Sequence, residues 1–167
     1  MHLYPTNEYR ATKDWPYSIA AGCVVYRKKD SGVEVLLLVR KAGEFPELIG
    51  SEVDSFHLPK GHVARDETLE QTALRETAEE AGCEAEIQTY LGGRLNQYID
   101  VGIKRDKIIH YFAASWVKDL EGIDHEHSNK IWVPVEDAIT KVGGSNPKRE
   151  DEVLKIFKNF LELVDES

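Results

Sequence analysis

A chain of 167 residues with 41% hydrophobic content is the size of one ordinary domain with a full core, so 1–167 needs no second domain. Its formal charge of −9 argues against a general nucleic-acid or membrane-surface binder, and a polyanionic substrate would need metal ions and a few local cations to approach. The two cysteines, Cys23 and Cys83, lack metal-ligand spacing and fall at expected core positions, which reads as buried free thiols in a reducing, cytoplasmic setting.

Residues 1–17 contain Pro5 and Pro16 among mixed polar residues and read as an irregular arm, without the apolar run of a signal peptide or membrane span. Residues 18–27 are small and β-branched, a turn-like Lys-Lys-Asp-Ser-Gly follows, and 33–40 is almost continuously apolar. This predicts a β-hairpin whose second strand is buried on both faces. Residues 41–54 mix glycine, proline and charge and read as a surface loop, either a connection or a cover over substrate. A short strand at 55–58 then delivers Pro59-Lys60-Gly61. Gly61 tolerates backbone angles that aim its carbonyl at a metal, and Lys60 is a flexible point charge suited to phosphate. His57 and His62 flank the same turn, and His57 is a candidate substrate contact.

Residues 68–81 carry a helical pattern. At about 3.6 residues per turn, Glu76, Glu79 and Glu80 share one narrow arc, while Leu74, Thr77 and Ala81 form an apolar stripe; Arg75 stands beside Glu79. Like charges at this spacing destabilise a helix by roughly 0.2–0.5 kcal/mol per pair, and a cation between them reverses the penalty. Oxygen-only ligands favour Mg²⁺ or Mn²⁺ over Zn²⁺. Spacing alone leaves open a second reading, a solvated acidic face.

Gly82 suits a left-handed helix cap. Beyond it, 85–91 alternates like a strand and ends at Gly92-Gly93, 96–105 reads as a strand end and turn, and 107–116 is a strong strand. Its Ile109, Tyr111 and Ala113 share one face; Ile108, His110, Phe112 and Ala114 share the other. Lys104, Arg105 and Lys107 form either a cationic rim or a solvated turn. His125-Glu126-His127 lacks the partner ligands of a zinc site. Residues 151–164 place Val153, Ile156, Phe157, Phe160 and Val164 at helical spacing, a core stripe.

The order of residues is more specific than their spacing. Gly61, five residues, Glu67, seven more, Arg75-Glu76, two more, Glu79-Glu80, one more and Gly82 resembles the signature box of the Nudix hydrolases (61–83) at every invariant position. Thr77 and Cys83 depart from it at aliphatic positions. The resemblance implies an α/β fold, a mixed β-sheet in an α/β/α sandwich, in which Trp132 and Pro134 lie on the strand before a second helix at 136–142. It implies a metal-dependent enzyme, using Mg²⁺ or Mn²⁺, that cleaves a small-molecule nucleoside diphosphate derivative. On that likeness the Gly61 carbonyl, Glu76, Glu79 and Glu80 hold the metal, and Glu79 or Glu76 lies nearest the attacking water. Arg75 orients carboxylates, Glu67 steadies the loop, and Glu126 serves the metal or the water from outside the box.

Within the family, the run from His57 to Gly82, Arg94-Leu95-Asn96, the 107–116 strand and the His-Glu-His before Trp132 look like the asymmetrical diadenosine tetraphosphate hydrolases. That likeness implies phosphate contacts from Lys60 and Lys107 and stacking of adenine on Tyr111 and Tyr98. Where those enzymes carry a tyrosine directly after Leu-Asn, this chain has Gln97 and then Tyr98. The rival readings are a Nudix hydrolase of nucleoside triphosphates, ADP-ribose, RNA 5′ triphosphates or diphosphoinositol polyphosphates, and a nucleotide sensor that does not cleave. Sensors usually lack part of the box, and this chain keeps every charged position.

Overall fold

The computed structural model describes residues 17–43, 54–64, 66–121, 129–143 and 152–165. Its centre is a pair of strands, β1 (Tyr17–Lys29) and β2 (Gly32–Arg40), joined as the expected hairpin, with β2 buried on both faces from Val35 to Val39. They pair with each other only near the turn, from Tyr26↔Val35 to Lys29↔Gly32. Farther out they fork. β3 (Ser55–His57) pairs with β2, and β4 (Lys60–His62) pairs with β1 at Ala20↔His62, Ala21↔Gly61 and Gly22↔Lys60. The Pro59-Lys60-Gly61 turn is therefore wedged between the two central strands.

The other edge of β1 runs parallel to β6 (Ile103–Asp119), from Tyr17↔Asp106 to Tyr26↔Ser115, and β5 (Cys83–Asp100) closes that side. β7 (Asn129–Pro134) lines the outer edge of β2. The result is a mixed seven-stranded sheet. Because strand side chains alternate, β1 feeds two cores. Ala20, Val24 and Tyr26 join Leu37, Ile109 and Ala113 beneath α2 (Val135–Gly143) and α3 (Glu152–Asp165), where Leu154 and Phe157 are fully buried. Ala21, Cys23 and Val25 join Leu36, Leu38, Phe112 and Ala114 beneath α1 (Leu69–Ala81). This is the expected α/β/α sandwich. Phe157→Ala would cost about 3–5 kcal/mol, the range for emptying a buried aromatic site.

Two local features differ from the sequence reading. The chain from Cys83 to Asp100 is one continuous strand, and register shifts at Glu84/Ala85, Ile87/Thr89 and Tyr90/Gly92 absorb the residues that suggested a break at Gly92-Gly93. The reversal comes at Val101-Gly102, a two-residue loop with φ of 49° and 76°. The buried side of α1 is also wider than Leu74, Thr77 and Ala81: Leu69, Thr72 and Ala73 are buried with Thr77 and Ala81, and Leu74 is half-buried.

Cys23 and Cys83 are buried free thiols, pushed up to about 12 and about 11 respectively by burial. Among the described residues no helix is long and apolar enough to cross a membrane. The 41–54 loop is described only at its ends, where the Ala42 amide donates to Asp54 at 2.8 Å. The 1–16 arm and the His125-Glu126-His127 segment lie outside the described residues.

Candidate active site

The site is built on α1 and the turn before it. Thr68 caps the helix: its hydroxyl accepts from the Gln71 amide at 3.1 Å while the Gln71 side chain accepts from the Thr68 amide at 2.9 Å. At the other end Gly82 adopts φ 61°, and its amide donates to the Ala78 carbonyl at 3.0 Å. With both ends fixed, the helix presents its glutamates to the wedged turn.

Arg75 is the hub. Its Nε donates to both oxygens of Glu67, at 2.8 and 3.1 Å. Its Nη1 donates to Glu76 at 2.9 Å and Glu79 at 3.1 Å, and its Nη2 to the His62 carbonyl at 3.3 Å. Glu67 also accepts from the Thr72 hydroxyl at 3.0 Å and the Ala64 amide at 3.2 Å. Burial works against the Glu67 charge, but the hydrogen bonds from Arg75 and Thr72 and the Arg75 charge outweigh it, holding the carboxyl below its ordinary value. The hydrogen bond to Glu67 in turn raises Arg75, so this guanidinium stays charged at every working pH.

The turn approaches the same helix. The Lys60 amide donates to Glu80 Oε2 at 3.0 Å, and a Cβ at Gly61 would overlap the Glu76 carboxylate, so only glycine fits there. Lys60 pairs with Gly22 across one edge of β1 and Lys107 pairs with Ser18 across the other. Gly22 and Ser18 are four residues apart on one face, so both lysines project to that face. They line one cavity of about 400 Å³ with Gly61, Arg75, Glu76 and Glu80. Burial lowers the Lys107 pKa, with the Lys60 charge acting in the same direction and Glu80 opposing it. Ser18, its register partner, is 1% exposed with its hydroxyl unpartnered, a buried polar group behind Lys107 that nothing in the sequence singles out.

The remaining candidates fall elsewhere. Glu79 is 55% exposed and does not line the cavity. His57 sits on β3 with its ring 2.9 Å from the Ser55 hydroxyl, also outside the cavity lining. Tyr98 pairs with Arg105 on the β5–β6 ladder, and its side chain lies outside the described residues, as does Glu126. Tyr111 requires a correction: it is 3% exposed, packed with Ile109 and Ala113 in the core beneath α2 and α3, so its ring offers no face for stacking an adenine.

Among the described residues no three His, Cys, Asp or Glu side chains stand together as a ready metal cluster. Arg75 holds Glu76 and Glu79, and the Lys60 amide holds Glu80. The donor set nevertheless fits a hard divalent cation: it is all oxygen, and the Gly61 backbone already lies against the Glu76 carboxylate.

Fold and cavity define the class, an α/β/α sandwich that brings a carboxylate-rich helix against a lysine-bearing turn. The family model of the NUDIX domain matches residues 16–156. The asymmetrical bis(5'-nucleosyl)-tetraphosphatase of Sus scrofa is 30% identical over 128 residues, covering 71% of this chain and 80% of that one. The putative mutator protein MutT4 of Mycobacterium tuberculosis is 32% identical over 97 residues, 58% of this chain, which spans only 39% of that relative's length. Among solved structures, a C. elegans Ap4A hydrolase binary complex superposes with a TM-score of 0.58 at 32% identity, covering 86% of this chain and 97% of that one. The chain belongs to the NUDIX domain family and is a Nudix hydrolase, of the class that acts on pyrophosphate bonds.

Proposed function

We propose that the protein is a divalent-metal-dependent pyrophosphohydrolase that cleaves dinucleoside polyphosphates, with diadenosine tetraphosphate going to ATP and AMP. The observation that carries this reading is the cavity that Lys60 and Lys107 line together with Glu76, Glu80 and Gly61. A polyphosphate needs cations along its length, and in a chain of charge −9 two lysines on one wall supply them where the carboxylates are. The choice among phosphoanhydride substrates is supported by the asymmetrical tetraphosphatase relatives, at 30–34% identity over 71–72% of this chain.

Glu76, Glu80 and the Gly61 carbonyl, which the cavity brings together, would hold Mg²⁺ or Mn²⁺, with Glu79 held alongside by Arg75. When bound, the ion supplies Lewis acidity and neutralises phosphate charge. The chain's own residues do the rest. Lys60 and Lys107 bind phosphate oxygens and fix the scissile linkage in the cavity they share with Glu76 and Glu80. A water attacks one phosphorus in line, its proton passes to a carboxylate, and the bond to the leaving phosphate breaks with its charge met by lysine. Glu76 takes that proton in this reading, because it lines the cavity and Glu79 does not. Arg75 holds both carboxylates in orientation, anchored through Glu67.

Product analysis tests the substrate. The purified chain is incubated with Mg²⁺ and diadenosine tetraphosphate, in parallel with ADP-ribose, a nucleoside triphosphate and a diphosphoinositol phosphate. Release of ATP plus AMP as the fastest reaction supports the proposal. Faster turnover of another substrate reassigns the specificity, and binding without turnover of any moves the protein to the sensor class.

A further inference from the structure

The last turn of α1 carries Glu79 and Glu80 at the end of the helix where the backbone dipole is itself negative and the final carbonyls have no partner within the helix. The helix places no basic residue in that turn. The Gly82 amide closes the Ala78 carbonyl, and two further contacts come from distant elements. The Leu120 amide, just past β6, donates to the Gly82 carbonyl at 2.8 Å, and Lys130 Nζ, from β7, donates to the Ala81 carbonyl at 2.8 Å.

Lys130 reaches that point because of its rung. It pairs with Leu38 of β2, which is buried in the core beneath α1, so its side chain rises on the α1 face. Trp132, two residues along β7, packs against the same core. The Lys130 ammonium also lies 3.3 Å from Asp119 at the end of β6, and Asp119 accepts from the Trp116 indole N–H at 3.2 Å. One cation thus ties the end of α1 to β6 and to β7, which flank the central β1–β2 pair on opposite sides.

The same turn of helix builds the catalytic cavity. Glu80 directly precedes Ala81, accepts from the Lys60 amide at 3.0 Å and lines the cavity with Gly61 and Glu76. Arg75 fixes Glu76 and Glu79 from within the helix, whereas Lys130 fixes the backbone at its end. We propose that Lys130 is a positioning residue of the metal site: by holding the Ala81 carbonyl it sets where the Glu80 carboxylate stands against the Lys60-Gly61 turn. This rests on the assignment of Glu80 as a metal ligand. Lys130 acts through the helix and touches neither metal nor substrate.

The test compares Lys130→Met, which keeps an apolar stem and removes the ammonium, with the parent chain. Its first readout needs neither metal nor substrate: amide hydrogen exchange of the ¹⁵N-labelled full chain in EDTA. The Lys60 amide, which reports the bond to Glu80, should exchange at least about fivefold faster in the variant, the scale of a charge lost from a helix end, while the Leu37 and Ala113 amides keep parent rates. The second readout is the Mg²⁺ concentration for half-maximal turnover of diadenosine tetraphosphate. It should rise at least about tenfold, as when a support of a metal ligand is removed, with the KM for the nucleotide unchanged. Asp119→Asn, which keeps an oxygen for Lys130 and Trp116, should leave both readouts at parent values. Parent exchange at Lys60 in Lys130→Met overturns the proposal, as does a Mg²⁺ requirement that stays at the parent value. Acceleration shared by Leu37 and Ala113 also overturns it, because Lys130 would then be a general support of the fold. An equal effect of Asp119→Asn overturns it by moving the role to the ion pair at the end of β6. The exchange response in a parent chain that turns over no substrate supports the placement of Lys130 and fails the hydrolase assignment instead.

Discussion

The two arginine-centred clusters of this sheet use the same ion-pair chemistry to different ends. Arg27 holds Glu34 across the β1–β2 hairpin and lies on Trp132, while Arg75 holds Glu67, Glu76 and Glu79 on and beside α1. Each guanidinium is partly exposed, and the strongest bonds are of similar length, 2.9 and 2.8 Å. What differs is what the partners touch. Glu34 lines a cavity of about 290 Å³ with Glu136, Lys158 and Glu162 from other elements, whereas Glu76 shares one with Gly61, Lys60 and Lys107 and with Glu80, one turn along its own helix. An arginine–carboxylate pair becomes a candidate for chemistry when its cavity also brings a second carboxylate of the same helix against a glycine-bearing turn, as Glu80 and Gly61 do here.

Substitutions sharpen that contrast. Among substitutions in the two arginine clusters the largest effect is expected from Arg75→Lys, because one ammonium cannot replace a fork that reaches three carboxylates and the His62 carbonyl. Turnover should fall on the order of 10–100-fold, as for other supports of metal ligands, with kcat affected more than KM. A variant within twofold of the parent in steady-state kinetics would reduce Arg75 to the status of Arg27.

Glu67→Gln comes next and carries a pH signature. The folded-state pKa of Glu67 lies below its ordinary value of 4.5, so the fold favours the ionised form. That stabilisation is fully present above pH 4.5 and is lost as pH falls through the depressed value. Denaturation should show the variant about 1–2 kcal/mol less stable near neutrality, with the gap closing in acid. A gap that is constant with pH would mean packing, and not charge, sets the cost.

Arg27→Gln should cost least, below about 1 kcal/mol for a partly exposed pair, with turnover unchanged. A thermal shift comparable to that of Arg75→Lys, or a loss of activity, would erase the distinction between the clusters. The thiols give a further check on the core: Cys23 and Cys83, buried and with raised pKa, should resist alkylation at pH 8 in the native protein and react on unfolding.

Much of this was legible in sequence where the signal is local. Period-3.6 spacing puts the glutamates of α1 on one arc, Gly82 marks the helix end, and the apolar run of β2 announces a strand buried on both faces. Thr77 and Cys83, small residues at aliphatic positions of the box, pack fully buried as such residues can. Non-local geometry was not legible. Lys60 and Lys107 meet only because β4 and β6 flank β1, one antiparallel and one parallel, and spacing within either strand carries no trace of that. The glycine pair Gly92-Gly93 signals a turn by composition, but bulges absorb it and the chain reverses at Val101-Gly102. For Tyr111 the alternation already grouped it with Ile109 and Ala113, and those apolar companions are the mark of a core position.

The most direct test of the central claim, that the cavity against α1 is a metal-dependent hydrolytic site, is turnover of diadenosine tetraphosphate by Glu80→Gln beside the parent protein at saturating Mg²⁺. The amide keeps an oxygen to accept the Lys60 amide hydrogen bond but removes the negative charge, so the fold should be retained by circular dichroism and thermal melting. Turnover should drop at least on the order of 100-fold, the scale seen when one group that stabilises developing charge is removed. Full turnover in that folded variant would contradict the assignment of the active site to this helix and turn.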